Sequence, residues 1–386
     1  MAQAVVIGAG IGGLTSAIAL RQRGWEVTVL ERASAIEPVG SGLAIAANAL
    51  KALDTLGLGD RVRALSRIQG QAGIKRADGR WLTHTTSEAA AGRYDDSVVV
   101  LPRAALMEVL TGALGPGVLR LGTKVAETDP ETGAVRTEAG EELRADLVVG
   151  ADGIRSRTRR TLFPGHPGPV YAGVTAWRAL VPRGDLEIGA AESWGRGRVV
   201  GVSPLAGDLV YFYATDVLPE GVAFADEREE LIRRFGGWHD PIPALLRAAE
   251  PAAIIRTDVH HLAEPLPAYH RGRVALVGDA AHAMTPNLGQ GACQAVEDAV
   301  VLAHAADAGD LAGYTAARLA RTRRIMKRSW DLCRATKVRN PLLVAARDAA
   351  LMLATRARPD LLVRSMDEVL GWRPPEEKVS SRPRRP

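Results

Sequence analysis

Residues 2–32 read AQAVVIGAGIGGLTSAIALRQRGWEVTVLER, and this stretch decides the fold. The apolar run Ala4 to Ile7 suits a strand buried on both faces. G-x-G-x-x-G follows at Gly8, Gly10 and Gly13, then a helix-period apolar segment from Leu14 to Leu20. Gly24 stands where a helix C-cap falls, and Trp25 to Leu30 reads as a second strand ending in Glu31. Gly8 permits a sharp turn, Gly10 lets the backbone approach a pyrophosphate, and Gly13 lets the helix pack on the strand. The helix N-terminus then faces the phosphates. Glu31 lies roughly 20 residues beyond the glycines, where a carboxylate binds the ribose hydroxyls of an adenosine. A glycine motif alone is weak; strand, turn, helix and acid in register predict a bound dinucleotide, with NAD or FAD left open.

Outward from this stretch, 386 residues leave room for two domains. A net charge of +5, with arginine concentrated near the C-terminus, gives no basic footprint for nucleic acid. Two cysteines, Cys293 and Cys333, make neither a disulfide framework nor a zinc site, which points to a reducing compartment. No metal is expected. Met1 leads directly into the first strand without a basic n-region, and no apolar run approaches the roughly 20 residues of a membrane span. A cytoplasmic protein without membrane attachment, a monomer or homodimer, is expected.

Along the chain, the turn-rich loop with Pro38, Gly40, Ser41 and Gly42 precedes a helix-periodic segment, Leu43 to Leu58. Ile68 to Val100 changes to short alternating pieces with a turn at Asp78-Gly79, which reads as antiparallel hairpin material. A helix over Leu101 to Leu114, a strand over Val118 to Val125 and a meander follow. Asp146 to Gly150 (DLVVG) and Gly272 to Asp279 (GRVALVGD) are further buried strands, separated by a strand-rich stretch from Val170 to Ala214 and two short helices. The C-terminal helices carry Arg318, Arg321, Arg323, Arg324, Lys327 and Arg328, read as a solvated face. No internal repeat is present. The fold class expected is α/β: a Rossmann-like domain (1–67, 101–169 and 270–370, with the C-terminal helices) interleaved with an antiparallel-sheet substrate domain (68–100 and 170–269). The tail, 371–386, reads as disordered.

Three glycine-acid turns follow three buried strands: the Gly8 turn, GADGIRSRTRR at Gly150 to Arg160, and VGDAAHAMTPNLGQG at Val277 to Gly291. Open α/β sheets bind ligands at the carboxyl ends of their strands, so the three turns suggest one ligand clamped from several sides. In this order and spacing, GAGIGG with LER, D-L-V-V-G-A-D-G-I-R-S and G-D-A-A-H-x-x-x-P-x-x-G-Q-G, the sequence resembles the single-component FAD-dependent aromatic hydroxylases of the para-hydroxybenzoate and salicylate hydroxylase type. The match runs to about residue 340 and is closest to the smaller members acting on monocyclic aromatics or purines.

The resemblance implies tightly bound, non-covalent FAD, NAD(P)H as a transient co-substrate, and O2, with hydroxylation of an electron-rich aromatic or heteroaromatic through a flavin C4a-hydroperoxide. It implies FAD contacts at Gly8, Gly10, Gly12, Gly13, Glu31 and Arg32, at Ala44, Arg103, Val125 and Asp152, and at Asp279, Pro286, Gly289, Gln290, Gly291 and Ala292. Asp279, at a strand end, can accept from the ribityl hydroxyls. Gly289 to Gly291 open a helix whose N–H groups favour the charge developing at the flavin N1–O2 edge. Asp152 and Arg155 serve either the nicotinamide cofactor or turn and helix-cap chemistry. His282 is a packed, hydrogen-bonded histidine on this reading, and Cys293 a core residue.

No second G-x-G-x-x-G follows a strand, and no paired redox cysteines occur, so reductases of the two-dinucleotide and disulfide types do not fit. A flavin-halogenase signature is only echoed at GWHDPIP, where Asp240 replaces the second tryptophan. An FAD-dependent epoxidase or oxidase of a secondary metabolite, and a non-catalytic FAD-fold binding protein, are the alternatives. The substrate site carries less signal. Trp177, Arg178, Arg198, Tyr211 and Tyr213 are candidate walls; Tyr211 and Tyr213 share a strand face. His239, His260 and His261 are candidate bases without a motif, so the catalytic residue is unassigned.

Overall fold

The apolar run at the N-terminus becomes the centre of a parallel sheet. In the computed structural model, which describes residues 1–37, 40–65, 71–96, 98–358 and 360–376, β1 (Gln3–Ile7) lies between β2 (Glu26–Leu30) and β11 (Leu147–Gly150). Both pairings are parallel, Ile7 facing Leu30 on one side and Gly150 on the other. Val6, Val148 and Val149 are fully buried, as strands covered on both faces require. β18 (Val274–Leu276) extends the sheet beyond β11, with β17 (His270–Arg271) antiparallel at that edge and β7 (Leu119–Arg120) at the other. Because β1, β2, β11 and β18 run the same way, Gly8, Glu31, Asp152 and Asp279 all emerge from one end of the sheet. Helix Ile11–Gln22 packs on this sheet and against helix Gly291–Asp307, where a Cβ on Gly12 would meet Ala295 Cβ at 3.2 Å.

Strands from two distant stretches make the second sheet. β4 (Gln71–Arg76) and β5 (Trp81–Thr86) join β12 (Val170–Pro182), β13 (Ala190–Trp194), β14 (Arg198–Pro204), β15 (Leu209–Asp216) and β16 (Ile255–His261) in the order β16-β12-β15-β14-β13-β4-β5. One face is a core of its own: Trp177, Ala179, Val200, Val202, Phe212 and Ala214 pack under helices Glu227–Phe235 and Ile242–Ala248. The alternate residues face the first domain. β3 (Gly42–Ile45) and β6 (Val99–Pro102) form an antiparallel pair between the two sheets, and β8 (Val125–Thr128), β9 (Ala134–Thr137) and β10 (Glu142–Arg144) form a small meander.

Several readings of the sequence change. The helix expected over Leu101 to Leu114 begins at Arg103, because Leu101 and Pro102 belong to β6, and Ser87–Tyr94, within the stretch read as hairpin, is a helix. The helix expected from Leu43 begins only at Ala47, because Gly42–Ile45 is drawn into pairing with Val99–Pro102. Val118 to Val125 is not one strand: β7 ends at Arg120, and Val125 starts β8. The arginine run on helix Leu311–Thr336 is not uniformly solvated, since Arg318 is fully buried and Arg321 reaches Glu297. The tail expected to be disordered from 371 starts ordered, with Trp372 packed on the main core beneath the Arg321 guanidinium. Pro38, the 67/68 boundary and residues 377–386 lie outside the described residues. Among the described residues no helix is long and apolar enough to cross a membrane.

Candidate active site

The ends of the parallel strands open onto two cavities. A cleft of about 370 Å³ is lined by Gly8, Gly10, Glu31, Arg32, Val125 and Asp152 together with Gly153 and Arg155. A deeper cavity of about 500 Å³ lies between the sheets, lined on one side by Ala44, Asp279, Pro286, Gly289, Gln290, Gly291 and Ala292. Gly12 and Gly13 line neither. A Cβ at Gly13 would overlap the Gly8 carbonyl oxygen, so this glycine serves the helix–strand approach, while nothing lies within 4 Å of a Cβ built at Gly10. The chain therefore leaves room for a ligand at the second glycine of the motif and for none at the third.

Glu31 is held by its own fold: Oε2 accepts from the Ala9 N–H at 2.7 Å and Oε1 from the Ala33 N–H at 2.9 Å. Each oxygen keeps a further lone pair toward the cleft. Asp152 spends most of its acceptor capacity on local capping. It accepts from the Ser156 hydroxyl at 2.5 Å, the Arg157 N–H at 2.8 Å, and the Thr158 N–H and hydroxyl at 3.0 Å. Arg159 ties this turn to the next: its guanidinium donates to the Ile154 carbonyl at 2.6 Å and the Ala280 carbonyl at 3.1 Å.

Asp279 is both accessible and deep. Its side chain faces the open cavity, yet the protein surrounds it closely enough that burial pushes its carboxyl up, with His282, Arg103 and Arg159 pulling partly back. Arg103 is in turn pushed down by burial and held up by Asp279. An acceptor aimed into a cavity and backed by a partly buried cation suits the hydroxyls of a polyol chain.

Behind Asp279 lies a buried charge network that the sequence reading did not find. Asp298 Oδ2 accepts from the Gly278 N–H at 2.8 Å and meets His282 Nε2 at 2.5 Å, while Oδ1 accepts from Arg318 Nε at 2.7 Å. Glu297 accepts from Asn48 at 2.6 Å, from Gln294 at 3.0 Å and from both Arg318 and Arg321. Burial alone would raise Asp298, but His282 and Arg318 outweigh it and hold the carboxyl at about 2. One signal was available: two adjacent acids in the otherwise apolar helix text ACQAVEDAVVLA must be buried and paired. His282 is thus a packed, hydrogen-bonded residue, and Cys293 is core, its thiol pushed by burial up to about 12.

The opposite wall of the large cavity is the free face of the second sheet, and it sorts the substrate candidates. Arg178, Tyr211 and Tyr213 line it, with Glu192, Ser203 and Thr215. Trp177 and Arg198 do not. Trp177 is fully buried on the other face, donating to Glu227 at 2.6 Å, and Arg198 is paired there with Asp216 at 2.9 Å. Side chains alternate along a strand, so Trp177 and Arg178 cannot share a wall. None of the candidate bases reaches the cavity. His239 meets Ser193 at 2.8 Å, His260 meets Glu220 at 2.8 Å, and His261 stacks on Trp330 with ring centres 4.5 Å apart.

Comparison with known proteins bears on this geometry directly. A family model described as "FAD binding domain" matches residues 1–179 and 249–329. The chain is 38% identical over 371 residues to the aurachin C monooxygenase/isomerase of Stigmatella aurantiaca, covering 93% of this chain and 96% of that one. It is 35% identical over 372 residues to the 2-heptyl-3-hydroxy-4(1H)-quinolone synthase of Pseudomonas aeruginosa, covering 92% and 94%. The crystal structure of Klebsiella pneumoniae HpxO with FAD and uric acid superposes with a TM-score of 0.88 at 30% identity, covering 96% of each chain. The chain belongs to this FAD-binding family and is an FAD-dependent monooxygenase.

Proposed function

We propose that this protein hydroxylates an electron-rich heteroaromatic small molecule in the cavity of about 500 Å³, using FAD and NAD(P)H. The observation that carries the reading is a shared wall. Asp279 and the loop from Pro286 to Ala292, the FAD side by family resemblance, line the same cavity as Arg178, Glu192, Tyr211 and Tyr213. A cofactor and a small ring fit there face to face, in a volume ordinary for a small-molecule site.

On this reading the residues divide the cofactor between them. Gly8 and Gly10 give the pyrophosphate its close backbone approach, and Glu31 takes the ribose hydroxyls with its remaining lone pairs. Asp279 accepts from the ribityl chain, with Arg103 beside it. The N-terminus of helix Gly291–Asp307 faces the ring edge where negative charge develops. Bound FAD, reduced by NAD(P)H, would activate O2 and deliver one oxygen atom to the ring. The chain's own part is to orient the ring, hold its protons and keep water out. Leu43, Val100, Val174, Val199, Val259 and Met284 supply the apolar flanks. Asp152 caps its turn chiefly through Oδ2; Oδ1, whose partner among the described residues is the Ser156 hydroxyl, keeps a lone pair for the cofactor in the cleft that it lines.

The test is turnover of the FAD-loaded protein with NADH or NADPH under ¹⁸O2 against phenols, purines and 4(1H)-quinolones. One labelled oxygen atom per product molecule is expected. Substrate-stimulated oxidation whose product carries no label would overturn the hydroxylase reading and favour an oxidase.

A further inference from the structure

Four positions form one register row across the second sheet: Arg178 on β12 faces Tyr213 on β15, Tyr213 faces Gly201 on β14, and Gly201 faces Glu192 on β13. All lie on the cavity side. Strand spacing of about 4.8 Å puts the two ends of the row roughly 14 Å apart at the backbone. Gly201 leaves the middle bare, and the Tyr213 ring lies over it and donates its hydroxyl to Glu192.

The ends of the row are chemically opposite, and neither is neutralised by a counter-charge among the described residues. Glu192 Oε1 accepts from Tyr213 and Oε2 from Trp194 Nε1 at 2.8 Å, both uncharged donors. Burial pushes its carboxyl up, and those two hydrogen bonds pull only partly back. Each oxygen keeps one lone pair. At the other end Arg178 donates to the Thr257 hydroxyl at 2.7 Å and sits against the Tyr211 hydroxyl, again both uncharged. A half-buried acceptor at one end and a cation at the other, joined by an aromatic ring and flanked by apolar side chains, define a ligand by complementarity.

We propose that Glu192 accepts a ring N–H of the substrate while Arg178 donates to a carbonyl oxygen on the ring's far side, so that the cavity selects a planar heteroaromatic carrying an N–H and, across the ring, a conjugated carbonyl. This rests on the hydroxylase reading for what happens next. The proton moves from nitrogen to a Glu192 oxygen: the N–H bond breaks, an O–H bond forms, and the electron pair stays with the ring. That pair is delocalised onto the oxygen held by Arg178 and onto the carbon beside the carbonyl, which becomes the electron-rich site for oxygen delivery. A simple alkene or an unsubstituted benzene has neither handle.

The experiment is a binding titration of the FAD-loaded protein, followed by the flavin absorbance spectrum, with 2-heptyl-4(1H)-quinolone and its N-methyl analogue. The wild-type protein is expected to bind the N–H compound at least tenfold more tightly. Glu192→Met, similar in size and without a carboxylate to accept the N–H or its proton, is expected to bring the two within about twofold. Equal binding of both compounds by the wild type, binding of neither, or a preference that survives in Glu192→Met overturns the proposal. The wild-type comparison needs no variant, so misfolding of Glu192→Met leaves it decisive. Turnover is not required: N–H preference without labelled product removes the hydroxylase reading alone, and labelled product from other rings without quinolone binding removes this proposal alone.

Discussion

The Tyr213 hydroxyl donates to the Glu192 carboxylate by lying across Gly201, the residue between them in the register of three adjacent strands. The contact exists only because the middle position has no side chain, since a Cβ there would overlap the Tyr213 ring. Gly201→Ala should therefore swing the ring away and separate the pair. A destabilisation of about 1–3 kcal/mol is expected, with flavin content unchanged and substrate affinity lowered. Thermal unfolding, flavin absorbance per polypeptide and KM measure the three; an unchanged KM would mean the pair does not shape the substrate site.

The glycines of the first turn separate folding from binding. Gly10→Ala meets no atom of the described residues within 4 Å beyond its own chain neighbours, so its stability should stay within about 1 kcal/mol of wild type while FAD affinity falls at least tenfold. Gly13→Ala meets the Gly8 carbonyl and should destabilise the protein by about 3 kcal/mol or more even without cofactor. Urea unfolding of both apoproteins, beside FAD titrations, tells them apart; equal unfolding midpoints would contradict the division.

Asp279 faces the cavity, and among the described residues its carboxyl is set by burial and nearby charges, with no hydrogen-bond donor among the causes. Asp279→Ala should leave the circular dichroism spectrum intact and lower flavin retention through gel filtration at least tenfold. A variant that emerges with full flavin would remove Asp279 from the cofactor site.

Arg318 is fully buried against both Glu297 and Asp298. Arg318→Met leaves two buried carboxylates short of their main counter-charge, and a loss of about 3–5 kcal/mol is expected in urea unfolding. A loss below about 1 kcal/mol would show that Arg321 and His282 suffice.

The same network fixes an acid limb of stability. Asp298 is held at about 2, below its ordinary 3.8, by His282 and Arg318 against the opposing effect of burial. A carboxyl depressed on folding stabilises the native state fully above its ordinary value and loses that contribution as pH falls through the native one. Relative to Asp298→Asn, the wild type should lose on the order of 2 kcal/mol between pH 4 and pH 2. Urea midpoints across that range measure it; a constant difference would place the acid limb elsewhere.

By itself the sequence determined what is local. A buried strand, a glycine turn and a helix are contiguous in the chain, so GAGIGG specified both the backbone geometry and the phosphate-facing helix end. The same holds for the Gly278–Asp279 turn and its helix, and for Tyr211 and Tyr213 sharing one strand face. Trp177 and Arg178 were both read as walls, although alternation along a strand puts adjacent residues on opposite faces. Which of them faces the cavity was decided only when helices Glu227–Phe235 and Ile242–Ala248 covered one side of the sheet. The Tyr213–Glu192 contact needs the register of β13, β14 and β15, and the burial of Arg318 needs helix Leu311–Thr336 laid against Glu297 and Asp298. Hydrophobic period reports whether a residue has a buried face but not which distant side chain lies opposite it. The cofactor motif was therefore legible in the chain, while the substrate wall and the charge network behind Asp279 came into being only with packing.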